Sequence, residues 1–130
     1  MFQSDVDWTH YIEESFRLYY PVIKLHSLMS NPSDALYGEE KNKAYRTYTF
    51  PAFIRVNPSE ETLTKFGYDR NQDVFIAVPK SVLSAIGITL KLGDLVEFKN
   101  STYKLTAVKL KQDNDWKDYI ITAVGKLDGG

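Results

Sequence analysis

The sequence predicts a mainly-β protein: a small barrel or sandwich of about six strands, with a short N-terminal helix, two further short helices and a long protruding loop. Three observations carry this. Nine Tyr and seven Phe in 130 residues bring the aromatic share to 14 %, and flat rings suit the pleated, half-buried surface of a strand. The apolar runs are short and separated by Gly, Pro, Asn and Asp, the residues of tight turns. Stretches with helical spacing are brief, which argues against βαβ units.

The elements follow in order. Trp8, Ile12 and Phe16 recur at i, i+4 and i+8, so 7–16 reads as a helix with one apolar stripe, capped by Asp5 or Asp7. From Arg17 the pattern changes, and Leu18, Tyr19, Tyr20, Val22, Ile23 and Leu25 suit a strand. Pro21 has no N–H to give a ladder, which pushes that strand to an edge or a bulge. The stretch 27–44 is polar, holds Asn31-Pro32 and Gly38, and has neither a period of two nor of 3.6. It exceeds the usual connection length, and long loops in compact domains are functional or disordered. Leu36 and Tyr37 stand in its middle, where solvent-facing residues would be expected.

Residues 45–56 read as a long strand, broken or bulged at Pro51. A short helix follows at 59–67, with Ser59 as N-cap, Glu60 and Glu61 in the first turn and Gly67 as its stop. The run 72–78 is apolar at both alternating sets, Val74, Ile76, Val78 and Phe75, Ala77, so both faces are buried. A second short helix runs 80–86 between Pro79 and Gly87. Gly93-Asp94 turns into the strand 95–98, and Lys99-Asn100-Ser101 turns again into 102–107. There Tyr103, Leu105 and Ala107 face one way and Lys104 and Thr106 the other. Val108 and Leu110 take the opposite phase, the mark of a bulge. Residues 112–116 form a polar turn, and 119–124 a final strand. No repeat or low-complexity tract divides the chain, so 1–130 is one domain.

Composition excludes several functions. There is no cysteine, hence no disulfide, thiolate metal site or cysteine nucleophile. Sixteen Lys+Arg against seventeen Asp+Glu give a formal charge of −1, without the basic excess that neutralises phosphates in a dedicated DNA binder. No apolar run approaches the ~20 residues that span a bilayer. The start, Met1-Phe2-Gln3-Ser4-Asp5, lacks the basic and apolar regions of a signal peptide. An intracellular protein with no membrane contact is expected.

Catalytic chemistry has no anchor either. His10 and His26 are the only imidazoles, and neither stands in a recognisable nucleophile motif; both read as surface or satisfied histidines. G-x-S-x-G, P-loop and G-x-G-x-x-G patterns are missing. Asp113-Asn114-Asp115 suggests a calcium loop, but its sixth position is Asp118 where glycine is required. Glu39-Glu40 and Glu60-Glu61 are neighbours in sequence, and nothing sets them across a cleft. The chain is expected to bind proteins rather than to catalyse, with no cofactor and no metal.

One ordered set of motifs is recognisable. It opens with Leu36-Tyr37-Gly38-Glu39 and Lys41-Asn42-Lys43, and continues through Tyr48-Thr49-Phe50-Pro51-Ala52-Phe53 to Lys65-Phe66-Gly67. It then runs from Asp73-Val74-Phe75-Ile76-Ala77-Val78-Pro79 to Lys91-Leu92-Gly93-Asp94-Leu95-Val96-Glu97-Phe98. This set, spanning about 35–108, resembles the neck or head-closure (stopper) proteins of tailed bacteriophages, most closely those of contractile-tailed phages (myophages). The segment before Leu28 matches that family less clearly. The resemblance implies a virion protein of the head–tail connector, made in the host cytoplasm. Such a protein forms a ring with copies of itself between the portal-side adaptor and the tail terminator or tail tube proteins. It retains packaged DNA, which passes through without specific binding. It also implies that Leu36, Tyr37, Gly38 and Glu39 lie in an extended loop reaching a neighbouring subunit or adaptor. The physics of the loop agrees. Leu36 and Tyr37 supply an anchor, Gly38 allows a sharp turn, and Glu39 and Glu40 beside Lys41, Lys43 and Arg46 set register through opposite charges.

A second class of function is a cellular SH3-like or OB-like binding module. It would use Phe98 and Tyr103, flanked by Lys104, Lys109 and Lys111, as a ligand or nucleic-acid face.

Overall fold

A computed structural model describes residues 8–29, 44–110 and 119–128. Seven antiparallel strands form one sheet: β1 (Val22–Met29), β2 (Ala44–Pro51), β3 (Phe53–Val56), β4 (Val74–Pro79), β5 (Leu95–Phe98), β6 (Ser101–Lys109) and β7 (Ile120–Leu127). Among the described residues three helices accompany them: α1 (Thr9–Tyr19), α2 (Glu60–Lys65) and α3 (Lys80–Ile86). The strand order is β2-β1-β5-β6-β7-β4-β3. Its two ends, β2 and β3, are separated in the chain by Ala52 alone, so the sheet has to curl back towards itself as a barrel-like wall.

The mainly-β fold class holds, with one strand more than expected. The long strand over 45–56 breaks, and it does so at Ala52 rather than at Pro51. Ala52 is fully buried and its N–H donates to the Pro21 carbonyl at 2.9 Å. That bond turns the chain out of the β1 ladder and into the β4 ladder.

The N-terminal region differs more. α1 runs on to Tyr19, and no side chain caps its start, where Trp8 occupies the N-cap. A capping role for Asp5 or Asp7 lies outside the described residues. The helix ends because Tyr20 precedes a proline, which disfavours the α conformation; Tyr20 sits at φ −120°, ψ 152°. Pro21 therefore occupies the corner before β1, not the strand itself. β1 is an interior strand flanked by β2 and β5, not an edge. It also extends through Ser27, Leu28 and Met29, with Met29 opposite Ala44, so both ends of the expected 27–44 loop are strand.

Elsewhere local signals decide local structure. The Ser59 hydroxyl accepts from the Thr62 N–H at 3.1 Å and caps α2, and Gly67 and Gly87 follow α2 and α3 with φ 79° and 87°. Lys99 and Asn100 both have positive φ, 49° and 68°, as a two-residue type I′ hairpin between β5 and β6 requires. The bulge in β6 falls between Leu105 and Ala107, earlier than expected, so Ala107 faces the outer cluster instead of sharing the barrel side of Tyr103 and Leu105.

β4 separates two cores. Val74, Ile76 and Val78 point into the barrel with Ile23, Leu25, Phe50, Val96, Leu105 and Ile121. Phe75 and Ala77 point outwards, where Leu63, Tyr68, Ile120 and Val124 complete a second cluster. Phe75 is the hub of that layer, with Phe53, Phe66 and Tyr68 ring centroids 6.1, 4.9 and 6.3 Å away. Phe16 stacks edge-on with Tyr20, and Tyr20 with Phe53, so α1 is tied to the same aromatic row. The Tyr68 hydroxyl meets the Thr122 hydroxyl at 2.8 Å inside this layer. Burial pushes the Tyr68 phenol above its usual range, partly offset by the hydrogen bonds to Thr122 and to the Lys109 backbone.

Candidate protein interface

The described residues offer three surfaces on which chemistry or binding can be built, and the first is the open end of β1 and β2. The segment 30–43 leaves and re-enters there, because Met29 and Ala44 are opposite one another. Leu36, Tyr37, Gly38, Glu39, Lys41 and Lys43 all lie in that segment, outside the described residues. Arg46 is the one expected interface residue that is described. It is exposed on β2 opposite Ser27, beside exposed Tyr45 and near exposed Met29.

A buried carboxylate holds this end in place. β1 pairs with β5 only from Lys24 to His26; beyond that the Asp94 side chain takes over. One of its oxygens accepts from the Leu28 N–H at 2.8 Å and the other from the Lys91 N–H at 2.9 Å. The Lys91 ammonium lies 3.7 Å from the same carboxylate and donates to the Ser27 hydroxyl at 2.8 Å. Asp94 is fully buried, and a buried charge persists where it is both paired and hydrogen-bonded. Residues 91–94 form the turn that delivers it: the Asp94 N–H donates to the Lys91 carbonyl at 3.2 Å, and Gly93 has φ 90°. A type II turn needs positive φ at its third residue, which selects glycine there. The Gly-Asp pair legible in the sequence is thus the clamp on the strand that leads into 30–43.

The second surface is α1. None of its residues is fully buried. Ile12 and Phe16, one turn apart, lean on the body, while Tyr11, Leu18 and Tyr19 are 65 %, 60 % and 76 % exposed. Trp8 stacks edge-on against Tyr11 at 5.9 Å, and Val22, the first residue of β1, is exposed as well. A shallow groove of about 400 Å³ runs beside it, lined by Thr9, Ile12, Lys80, Ser81, Ser84 and Tyr119. It offers an apolar floor, hydroxyls and one ammonium, chemistry that suits a partner's side chain.

The third is a cross-strand cluster on the outer face. His26 Nδ1 lies 2.9 Å from the Thr47 hydroxyl and His26 Nε2 lies 3.0 Å from a Glu97 carboxylate oxygen. The order hydroxyl–imidazole–carboxylate has the connectivity of a hydrolytic triad, but its members are contributed side by side by three neighbouring strands, β2, β1 and β5. Such an arrangement links the strands through their side chains. The His26 hydrogen bond, with the Lys24 charge second, holds the Glu97 carboxyl below its usual range. His26 is thus a satisfied histidine, and the sequence carried no sign of its two partners, which are 21 and 71 residues away.

The aromatic face expected around Phe98 and Tyr103 is not available. Tyr103 is buried in the barrel core, and Phe98 is half-buried against the same cluster with the Lys99 ammonium over its ring. Tyr103 turns inwards because it shares the face of Leu105, the face that fills the barrel. Lys109 lies over the Tyr68 ring, Lys104 is exposed on β6, and Lys111 falls outside the described residues.

Among the described residues no group of three or more His, Asp and Glu is placed to hold a metal ion. No described helix is long and apolar enough to cross a membrane. No protein-family model and no curated protein matches the chain.

Proposed function

We propose that this chain is a structural subunit of the head–tail connector of a tailed bacteriophage. In this reading copies of it form a ring that joins the portal-side adaptor to the tail and retains packaged DNA. The observation that carries an assembly role is α1, an eleven-residue helix with no buried residue that leaves Tyr11, Leu18 and Tyr19 exposed. Tyrosine is enriched at protein–protein interfaces relative to the rest of the surface. The resemblance over 35–108 supports the neck as the place of that assembly.

The segment 30–43 joins the body at the far end of β1 from α1, between Met29 and Ala44. Its two ends are fixed by the Met29–Ala44 pairing and the Asp94 clamp. A rigid root lets a partner-binding segment act without disturbing the fold beneath it.

Mass spectrometry of purified, DNA-filled virions encoded by the same genome tests the proposal. Recovery of the chain at a fixed low copy number per particle is the expected result. Its absence from such virions would overturn the reading and favour a cellular binding module.

A further inference from the structure

The sheet has two ends, and they are not equally finished. β3 has only four residues and stops at Asn57, whose φ is 54°. β2 has eight and pairs with β1 along its whole length. No described residue forms a ladder with its other side. The register explains this. Phe53 is opposite Ala77, so Pro51 would fall opposite Pro79, where β4 ends and α3 begins. Residues 44–50 run on past that point with no β4 residue to meet them. Tyr45, Arg46, Thr47 and Thr49 are exposed along this stretch.

Open edges are normally blunted by lysine, proline, bulges or shortness. β2 reads Ala-Tyr-Arg-Thr-Tyr-Thr-Phe before its terminal Pro51, rich in β-branched and aromatic residues and carrying one charge. Its row of backbone donors and acceptors is suited to another extended strand.

We propose that two copies of this chain pair β2 to β2, antiparallel, about a two-fold axis at Thr47. The side chains select both the partner and the register. With Thr47 opposite its own copy, Tyr45 meets Thr49 on the outer face, and Thr–Thr and aromatic–β-branched pairs are favourable cross-strand neighbours. On the other face Arg46 meets Tyr48, which sets a guanidinium against an aromatic ring. Centring on Arg46 instead would put two like charges opposite each other. Centring on Tyr48 would set Arg46 against Phe50, which is 3 % exposed and committed to its own core. A two-fold contact is self-complementary and closes on itself, so it gives a dimer rather than a fibre. This inference does not rest on the neck reading, and the virion measurement leaves it untouched.

The chain has no cysteine, so an introduced one reports on a single contact. Under mild oxidation Thr47→Cys should give a disulfide-linked dimer, because directly opposed residues lie about 4.5–5.5 Å apart, within disulfide range. Thr49→Cys alone should not, since the two copies of residue 49 would be about 14 Å apart along the strands. Mixing Tyr45→Cys chains with Thr49→Cys chains should restore the cross-link. This mixture leaves the Thr47–His26 contact intact, which guards against a Thr47 variant that folds poorly. Sedimentation equilibrium of the unaltered chain should show a monomer–dimer equilibrium. A strict monomer, or cross-linking of Thr49→Cys alone as efficient as that of Thr47→Cys, would overturn the proposal.

Discussion

β4 and β2 are both short antiparallel strands, yet they stand in opposite situations. All six residues of β4 are buried, with β7 and β3 on its flanks and a core on each face. In β2 only Phe50 is fully buried among residues 45–50, and one flank meets no described strand. The difference shows where the molecule keeps its stability and where it keeps freedom to bind. The β4–β7–β6 wall is the rigid body. The β1–β2 arm joins it through β5, by the Lys24–His26 ladder, the Asp94 carboxylate, the His26 cluster and the shared barrel core, and carries the root of 30–43.

Substitutions can break or sharpen that contrast. The largest effect should come from Ile76→Ala in β4, about 2–5 kcal/mol for a buried aliphatic truncation. Thr49→Ala on the exposed face of β2 should stay within about 0.5 kcal/mol. Urea titration of both reads the asymmetry directly, and comparable losses would dissolve it.

Asp94→Ala should follow, at about 2–4 kcal/mol, because two backbone donors lose their acceptor in a buried setting. Hydrogen exchange should show faster exchange at the Leu28 and Lys91 amides, while Ile76 stays protected. Gly93→Val should destabilise by about 1–3 kcal/mol, since valine is strained at φ 90° and its Cβ would meet Leu28 Cδ2 at 3.3 Å. An unchanged melting temperature would show that the turn relaxes without loss.

Tyr68→Phe, in the rigid half, should remove about 0.5–1.5 kcal/mol with the Thr122 hydrogen bond. The raised Tyr68 pKa adds a pH signature. Its contribution is fully present below the ordinary phenol value of 10.0 and is lost as pH rises through the folded value. Thermal melts of the wild type should therefore fall towards those of Tyr68→Phe in alkali. The smallest effect belongs to the arm. The lowered Glu97 pKa contributes stability above the ordinary carboxyl value of 4.5, lost as pH falls through the folded value. Glu97→Gln should flatten that acid limb slightly, and a full-sized acid transition in the variant would assign it to other carboxylates.

Much of this fold was legible residue by residue. The Ser59 cap, the glycine stops of α2 and α3 and the two-faced burial of β4 each depend on a few neighbouring residues, and each stands as read; the β6 bulge is there too, but before Ala107 rather than after it. The N-terminal boundary was misplaced because Leu18, Tyr19 and Tyr20 favour a strand, whereas the helix runs on until Pro21 forbids it. The candidate site was less legible. Of its residues only Arg46 is described, and the exposed side chains Tyr11, Leu18 and Tyr19 of α1 stand outside the predicted Trp8, Ile12, Phe16 stripe.

By itself the sequence determined what local stereochemistry decides: strands between turn residues, capped short helices, a left-handed glycine before a carboxylate. Tertiary structure alone decided that Asp94 would clamp Leu28, that His26 would find Thr47 and Glu97, that Tyr103 would turn inwards, and that β2 would outrun β4. Those outcomes depend on how far each strand runs beside its neighbours in a closing sheet, and register between distant segments is a property of their packing together.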